Sequence, residues 1–326
     1  MKESDIRKTA VFDEYLRLVE KDIKTFFDFR AFVDVRCPAC AGAGFTFEFE
    51  KSGFRYVSCK KCSTLFVNPR PGYRALERFY SDSPSARFWA NNFFKPVAEA
   101  RRVKLFRPRA RYADGILDKK KRAAIADIGA GFGMFLEELR RVSPDNRYVA
   151  IEPSIEMAGI CREKGLEVRR SCLEDMKASG PEFDLVTAFE LAEHLFDPAL
   201  FFKKARAALK DKGLVFLTTL NCHGFDIALL WEKSRIVTPP HHLNFFNTVS
   251  IRTLLERVGF KIIEISTPGM LDWDIVEGVI KGGGPDLGRF WNLLARDGTE
   301  EAKRSFQSWL SRNNLSSHMR VIARKV

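Results

Sequence analysis

The chain has 326 residues, of which 45% are hydrophobic and 29% charged, with a net charge of +12 at pH 7. That length predicts one or two domains with a sizeable core, and the composition is ordinary for a soluble globular protein. No apolar run approaches the ~20 residues of a membrane span, and the opening MKESDIRKTAVFDEYL is too charged for a secretory signal, so membrane insertion is not expected and a cytoplasmic protein is. The positive balance favours an anionic partner. The basic residues are dispersed except at KKKR, 119–122, which reads as a solvated turn. No standard nucleic-acid motif is present, which makes RNA the less favoured partner.

In chain order, residues 4–29 carry Ile6, Val11, Tyr15, Leu18, Ile23 and Phe27 at helical spacing, which predicts an amphipathic helix over about 1–30. Four of the seven cysteines follow as two C-x2-C pairs, Cys37/Cys40 and Cys59/Cys62, with 18 residues between the pairs. This is tetrathiolate zinc spacing: each pair sits on a tight knuckle, and four thiolates close a tetrahedral shell with no open position, which implies a structural zinc. Two disulfides or a redox pair are the rivals. A cytosolic setting disfavours the first, and two spaced pairs disfavour the second. Cys161, Cys172 and Cys222 read as small hydrophobes. Between the knuckles, FTFEFE, an SG turn and a second run predict a hairpin, so residues 31–71 form a ribbon.

Residues 72–118 are rich in aromatics and look helical, with a breaker at SDSPSA, and form a cap or linker. From 119 to 326 strands alternate with helices: AAIADI, YVAIE, LEVRRS, FDLVTAF, GLVFLTTL and FKIIEIST are strands, with SSHMRVIARK the last. The fold class is α/β, a doubly wound, mostly parallel sheet. Residues 268–312, with Trp273, Trp291, Trp309 and GGG at 282–284, are a helical insertion, either a substrate lid or simple edge packing.

The first strand of this region runs into DIGAGFG, with Asp127, Gly129, Gly131 and Gly133. Glycines at a strand-to-helix turn let the backbone approach a ligand closely. Glu152 ends the next strand, 19 residues after Gly133, where a carboxylate can accept both ribose hydroxyls. The loop is G-x-G-x-G rather than the dinucleotide G-x-G-x-x-G, and Asp127 suits an amine-bearing ligand.

D-x-G-x-G-x-G, the acid after the second strand and FDLVTAFELAEH together resemble the class I S-adenosylmethionine-dependent methyltransferases, over about 123–265. The resemblance implies a seven-stranded sheet with an antiparallel last strand. It implies that Asp127, Gly129, Gly131, Phe132 and Gly133 hold the methionine part of the cofactor and that Glu152 and Pro153 hold the ribose. Leu173 and Glu174 lie by the adenine, and Phe189, Glu190 and His194 border the cofactor. Many members carry Asp where this chain has Cys172. Phe88 and Trp89 could cover the sulfonium by cation–π contact; core packing is the plainer reading.

PPHHLNFF, 239–246, follows the fifth strand and hangs over the carboxyl ends of the sheet, where ligands bind in such folds. With the ribbon and YSDSPSARFW it resembles a zinc-ribbon subgroup acting on nucleotide sugars and surface polysaccharides, including sugar C-methyltransferases. There the loop often reads E-H-x-x-F, so His242 matches the general base and His241 replaces the acid. The implied acceptor is a phosphorylated or nucleotide-linked sugar. A rival lies in FELAEHL, where Glu190, Glu193 and His194 have one-face helical spacing. With His242 they make a divalent-metal set, similar to metal-dependent O-methyltransferases of ubiquinone synthesis and of small-RNA ribose ends. An RNA-modifying enzyme and a non-catalytic binding module are further alternatives. The loop could also be only anchored by Phe245 and Phe246. His223 and His318 read as ordinary, isolated residues.

Overall fold

The computed structural model describes residues 2–6, 8–117, 122–177 and 180–326. Lys119–Lys121 of the basic cluster, and the boundary expected at 119, lie outside them. The N-terminal segment makes two helices rather than one, α1 (Glu3–Ile6) and α2 (Thr9–Phe26). Lys8 is extended and starts α2 afresh. Phe12, Tyr15, Val19 and Ile23 line the buried face of α2, at the 3–4 residue spacing of one helix side.

Strands β1 (Phe45–Lys51) and β2 (Phe54–Cys59) pair antiparallel. Ser52 (φ 50°) and Gly53 (φ 82°) turn between them, as a two-residue hairpin with the favoured twist requires. β3 (Leu65–Val67) pairs with β2. Helices α3 (Tyr73–Asp82), α4 (Pro84–Phe88), α5 (Ala98–Arg101) and α6 (Arg107–Ile116) follow, with wider π-type turns at 89–94 and 102–106.

The alternating region then gives β4 (Ala124–Ile128), α7 (Met134–Val142), β5 (Arg147–Ile151), α8 (Ile155–Glu163), β6 (Glu167–Arg169), β7 (Phe183–Phe189), α9 (Pro198–Ala208) and β8 (Leu209–Leu220). After these come α10 (Phe225–Leu230), β9 (Asn244–Phe245), α11 (Thr248–Arg257), β10 (Phe260–Ser266), α12 (Asp272–Lys281), α13 (Arg289–Asp297), α14 (Glu300–Arg312) and β11 (His318–Lys325). Seven strands form one sheet in the order β10-β11-β8-β7-β4-β5-β6. β4, β5, β6, β7 and β8 pair in parallel, and β11 is antiparallel to both neighbours. The expected α/β sheet with an antiparallel last strand is therefore present. Successive side chains alternate between its two faces: Ala124, Ala126 and Ile128 join the core shared with α9 and α11, while Ile125 joins that of α6 and α7.

Two features depart from the reading as separate modules. The small sheet has four strands, β1-β2-β3-β9, and its fourth comes from the HHLNFF loop. Cys37, Cys59, Cys62 and Phe66 share one core with the large sheet. The 268–312 segment forms α12–α14 and packs with α10 around Leu230, Trp273, Val276 and Ala295.

Candidate functional site

The chain leaves β4 through Gly129, Gly131 and Gly133, all at positive φ (68°, 55° and 69°). The last two serve different ends. A Cβ at Gly133 would lie 2.7 Å from Leu166 Cδ1, so packing excludes it; a Cβ at Gly131 would meet nothing within 4 Å, so the backbone there borders open space. Asp127, 3% exposed at the end of β4, accepts a hydrogen bond from Thr187 Oγ1 at 2.6 Å. Burial, reinforced by the charge of Glu152 and opposed by the Thr187 bond, pushes its carboxyl up to about 7. Glu152 follows β5 and accepts the N–H groups of Gly131 (2.8 Å) and Ser154 (2.9 Å). Burial raises its carboxyl as well, against the pull of those two bonds. Two buried acids thus flank an open glycine turn, an arrangement suited to an amine and a diol.

The other residues expected at the cofactor differ in their burial. Phe132 is buried with Ala90 and Met134, Leu173 sits in the main core, and Pro153 is exposed. Glu174 is half-buried with its carboxyl raised by burial, and Cys172 has a thiol pushed up to about 11 by burial. Core packing describes Phe88 and Trp89: both rings join the N-terminal aromatic cluster, with the Trp89 ring 4.7 Å from that of Tyr15.

Glu190 is the main correction. It has φ 50° and stands just after β7, outside any helix; only Ala192–His194 forms a single 3-10 turn. The one-face spacing assumed for Glu190, Glu193 and His194 therefore fails. Glu190 instead turns to Arg109 of α6 (2.7 Å), Thr218 (2.8 Å) and His318 Nε2 (2.9 Å). Burial alone would raise its carboxyl, but His318, Arg109 and Thr218 together hold it well below the usual range. Arg109 also lies over the Phe189 ring at 5.0 Å. His318, read from the sequence as isolated, belongs to this cluster. His223 is exposed, and partial desolvation of its ring lowers it below the ordinary value.

Glu193, His194 and His242 do converge. One potential ligand atom from each lies within 4.8 Å of the others. Thr219 Oγ1 donates to Glu193 at 2.8 Å, and burial followed by the charge of Glu190 raises the Glu193 carboxyl. His194 Nδ1 donates to the His241 carbonyl at 2.8 Å, and burial lowers its ring to about 4. His242 Nδ1 hydrogen-bonds the Ile236 carbonyl. A carbonyl only accepts, so both rings carry hydrogen on Nδ1, and in the neutral ring Nε2 keeps its lone pair. His241 is different. It is 8% exposed, packed against Tyr15, Phe79 and Tyr80, its Nε2 has no hydrogen-bond partner, and burial holds the ring well below its ordinary value. Phe245 and Phe246 are fully buried, as an anchor requires.

The four cysteines also converge, with Cys37–Cys62 and Cys40–Cys59 Sγ pairs each at 3.5 Å. That is close to the edge of a tetrahedron with ~2.3 Å zinc–sulfur bonds, and too long for a disulfide.

With this geometry in view, the comparisons place the chain in its class: it belongs to the methyltransferase-domain family, whose model matches residues 97–265, more than half of the 326. A model of ribosomal protein S27 matches residues 30–78. Among individual relatives, it is 28% identical over 162 residues to ubiquinone biosynthesis O-methyltransferase of Xanthomonas euvesicatoria pv. vesicatoria, covering 46% of this chain and 66% of that protein. It is 35% identical over 120 residues to the protein of the same name from Methylocella silvestris, covering 35% and 45%. The chain thus spans less than two thirds of the length of these relatives. Its fold is similar to that in the complex between the Haloferax volcanii Trm112 methyltransferase activator and a methyltransferase (TM-score 0.51, 14% identity, 73% of this chain and 96% of that one). It is likewise similar to that of the plantazolicin methyltransferase BpumL in complex with SAH (TM-score 0.51, 15% identity, 77% and 94%). Among the described residues no helix is long and apolar enough to cross a membrane.

Sequence reasoning missed Arg109, Thr187, Thr218 and His318. Arg109 sits in RPRARY among many arginines and the threonines lie inside strands, so no local pattern marks them.

Proposed function

We propose that the chain transfers a methyl group from S-adenosylmethionine to a hydroxyl of a small acceptor, with His242 as general base. The bound cofactor supplies a methyl group already activated on a sulfonium. The chain's own work is to hold and orient. Asp127 and the glycine turn receive the methionine end, Glu152 takes the ribose, and the Leu173–Glu174 and Phe189–Glu190 segments border the rest. The observation that carries the base assignment is the His242 Nδ1 bond to the Ile236 carbonyl. It commits the proton to Nδ1, which in the neutral ring leaves the lone pair on Nε2, the tautomer a general base of this kind uses. The four cysteines hold a structural zinc in this reading.

A second reading is favoured by the Glu193–His194–His242 convergence. One carboxylate and two imidazoles would hold a divalent ion, which would orient the acceptor oxygen. A phosphorylated or nucleotide-linked sugar is the finer form of the acceptor, supported by the net charge of +12. The names of the curated relatives support O-methyl transfer more generally.

Calorimetry with S-adenosylmethionine should give micromolar-range binding; no binding sinks the proposal. His242→Ala should lower turnover by about 10²–10⁴-fold while cofactor affinity stays. Activity abolished by a chelator and restored by a second divalent ion would move the role of this cluster to the metal reading.

A further inference from the structure

The small sheet does more than join the ribbon to the rest of the chain. It holds both backbone segments that carry the histidine cluster. β3 pairs with β9 through Leu65↔Phe245 and Phe66↔Asn244. One step earlier, the Val67 N–H donates to the Leu243 carbonyl at 2.9 Å, while the Leu243 N–H donates to the Glu193 carbonyl at 2.8 Å. Tyr56 of β2 donates its hydroxyl to the His242 carbonyl at 2.9 Å. Arg70, 1% exposed, bridges three stretches by donating to Val67 O (3.1 Å), Phe196 O (3.0 Å) and Asn244 Oδ1 (3.0 Å). Asn244 in turn donates to Leu195 O at 2.8 Å and Ala192 O at 3.3 Å. His194 lies within the first of these segments and His242 beside the second.

The same strands begin at the cysteine knuckles. β2 ends on Cys59, and Cys62 lies three residues before β3. Asn247, which caps α11 just after β9, donates to the carbonyls of Cys62 (2.9 Å) and Ser63 (3.0 Å). From α11 itself, Arg257 donates to the Pro38 carbonyl at 3.1 Å, beside Cys37. A tetrathiolate knuckle keeps its geometry only while a metal offsets the repulsion of its sulfurs, so metal binding and local folding are one equilibrium.

We propose that the ribbon is the template that sets the placement of His194 and His242, with Tyr56, Arg70 and Asn244 as positioning residues, so that loss of metal at the four cysteines displaces the histidine cluster. This rests on the reading of that cluster as the reaction centre and of the cysteines as a zinc shell. A zinc held by Cys37, Cys40, Cys59 and Cys62 would act through the ribbon backbone and not through the acceptor.

The chain has only five histidines, so isotope labelling of histidine in the full-length protein gives a spectrum simple enough to assign by single substitutions. Two perturbations are applied: Tyr56→Phe, which removes one hydroxyl, and metal withdrawal by a chelator. Each should move the ring signals of His194 and His242 and leave His318, on the Glu190 side, in place. Affinity for the demethylated cofactor should change less than about twofold, since the hydrogen bonds of Tyr56, Arg70 and Asn244 go to Val67, Ala192, Leu195, Phe196, His242 and each other, and not to the glycine turn. Unmoved His194 and His242 signals under both perturbations overturn the proposal, as does a change confined to His318 and the cofactor affinity. Full turnover in His242→Ala would instead sink the catalytic reading of the cluster and leave the linkage itself standing.

Discussion

Asp127→Asn should stabilise the protein without ligand as pH rises above about 4, with the full gain reached above pH 7. Asp127 is almost fully buried, and its one side-chain donor is Thr187 Oγ1. Burial moves its carboxyl from an ordinary 3.8 to about 7. The raised value means that the folded state holds the proton more tightly than the unfolded chain. Below pH 3.8 both states are protonated and the carboxyl imposes no charge penalty. As pH rises through 3.8 toward 7, the unfolded chain releases its proton freely and the folded state does not, so stability declines and the loss is complete above pH 7. At about 1.4 kcal/mol per pH unit, the gap between 3.8 and 7 corresponds to about 4 kcal/mol. Asn keeps the shape and an acceptor for Thr187 but never ionises. Urea denaturation should therefore show the variant more stable by about 4 kcal/mol at pH 8 and nearly equal at pH 4. For a chain of this length unfolding cooperatively, that is a rise of about 6 °C in Tm at pH 8. Titrating groups distant from Asp127 are common to both proteins and cancel in the difference; Glu152, whose charge acts on Asp127, does not cancel fully. A variant destabilised at pH 8, or shifted equally at both pH values, refutes the argument that burial strains this carboxylate. Cofactor binding by the variant, measured by calorimetry, should be strongly reduced if Asp127 receives the methionine ammonium.

Metal analysis should find about one zinc per chain, absent when Cys37 and Cys40 are both changed to Ser. Arg70→Met removes three bonds to buried or partly buried oxygens, worth about 1–3 kcal/mol each. Relief of a guanidinium whose burial lowers it to about 10 offsets part of that, leaving a net loss of about 3 kcal/mol in urea denaturation. Gly224→Ala places a Cβ 2.1 Å from Ser317 Cα, against backbone that cannot yield cheaply; the loss should reach the upper end of about 1–3 kcal/mol. Gly159→Ala in α8 meets nothing within 4 Å and should instead gain about 0.5–1 kcal/mol from helix propensity.

Much of the fold was legible because it is written in local periodicity. Strands and helices alternate with distinct hydrophobic spacing, and short connections between such elements leave few sheets to choose from. The glycine turn was legible because Gly129, Gly131 and Gly133 follow a strand, and no other residue type takes positive φ as readily. The cysteine pairs were legible because tetrahedral ligation demands close spacing within each pair. Each of these signals is read from segments on the scale of one supersecondary unit.

Legibility ended where the answer lay between distant segments. FELAEHL promises a helix, yet Glu190 turns at φ 50° toward Arg109 and His318, 81 and 128 residues away. Three cationic or polar partners for a partly buried carboxylate outweigh the weak preference of four residues for a helical turn. PPHHLNFF likewise reads as a loop with two neighbouring histidines. The sequence by itself determined that an α/β sheet, a glycine turn and a four-thiolate cluster exist. Only tertiary structure decided that β9 completes the ribbon sheet, that His241 is walled in by aromatics, and that His242 joins Glu193 and His194. Hydrogen bonds between strands and the burial of charge depend on which segments meet, and that is settled by the packing of the whole chain rather than by any short stretch of it.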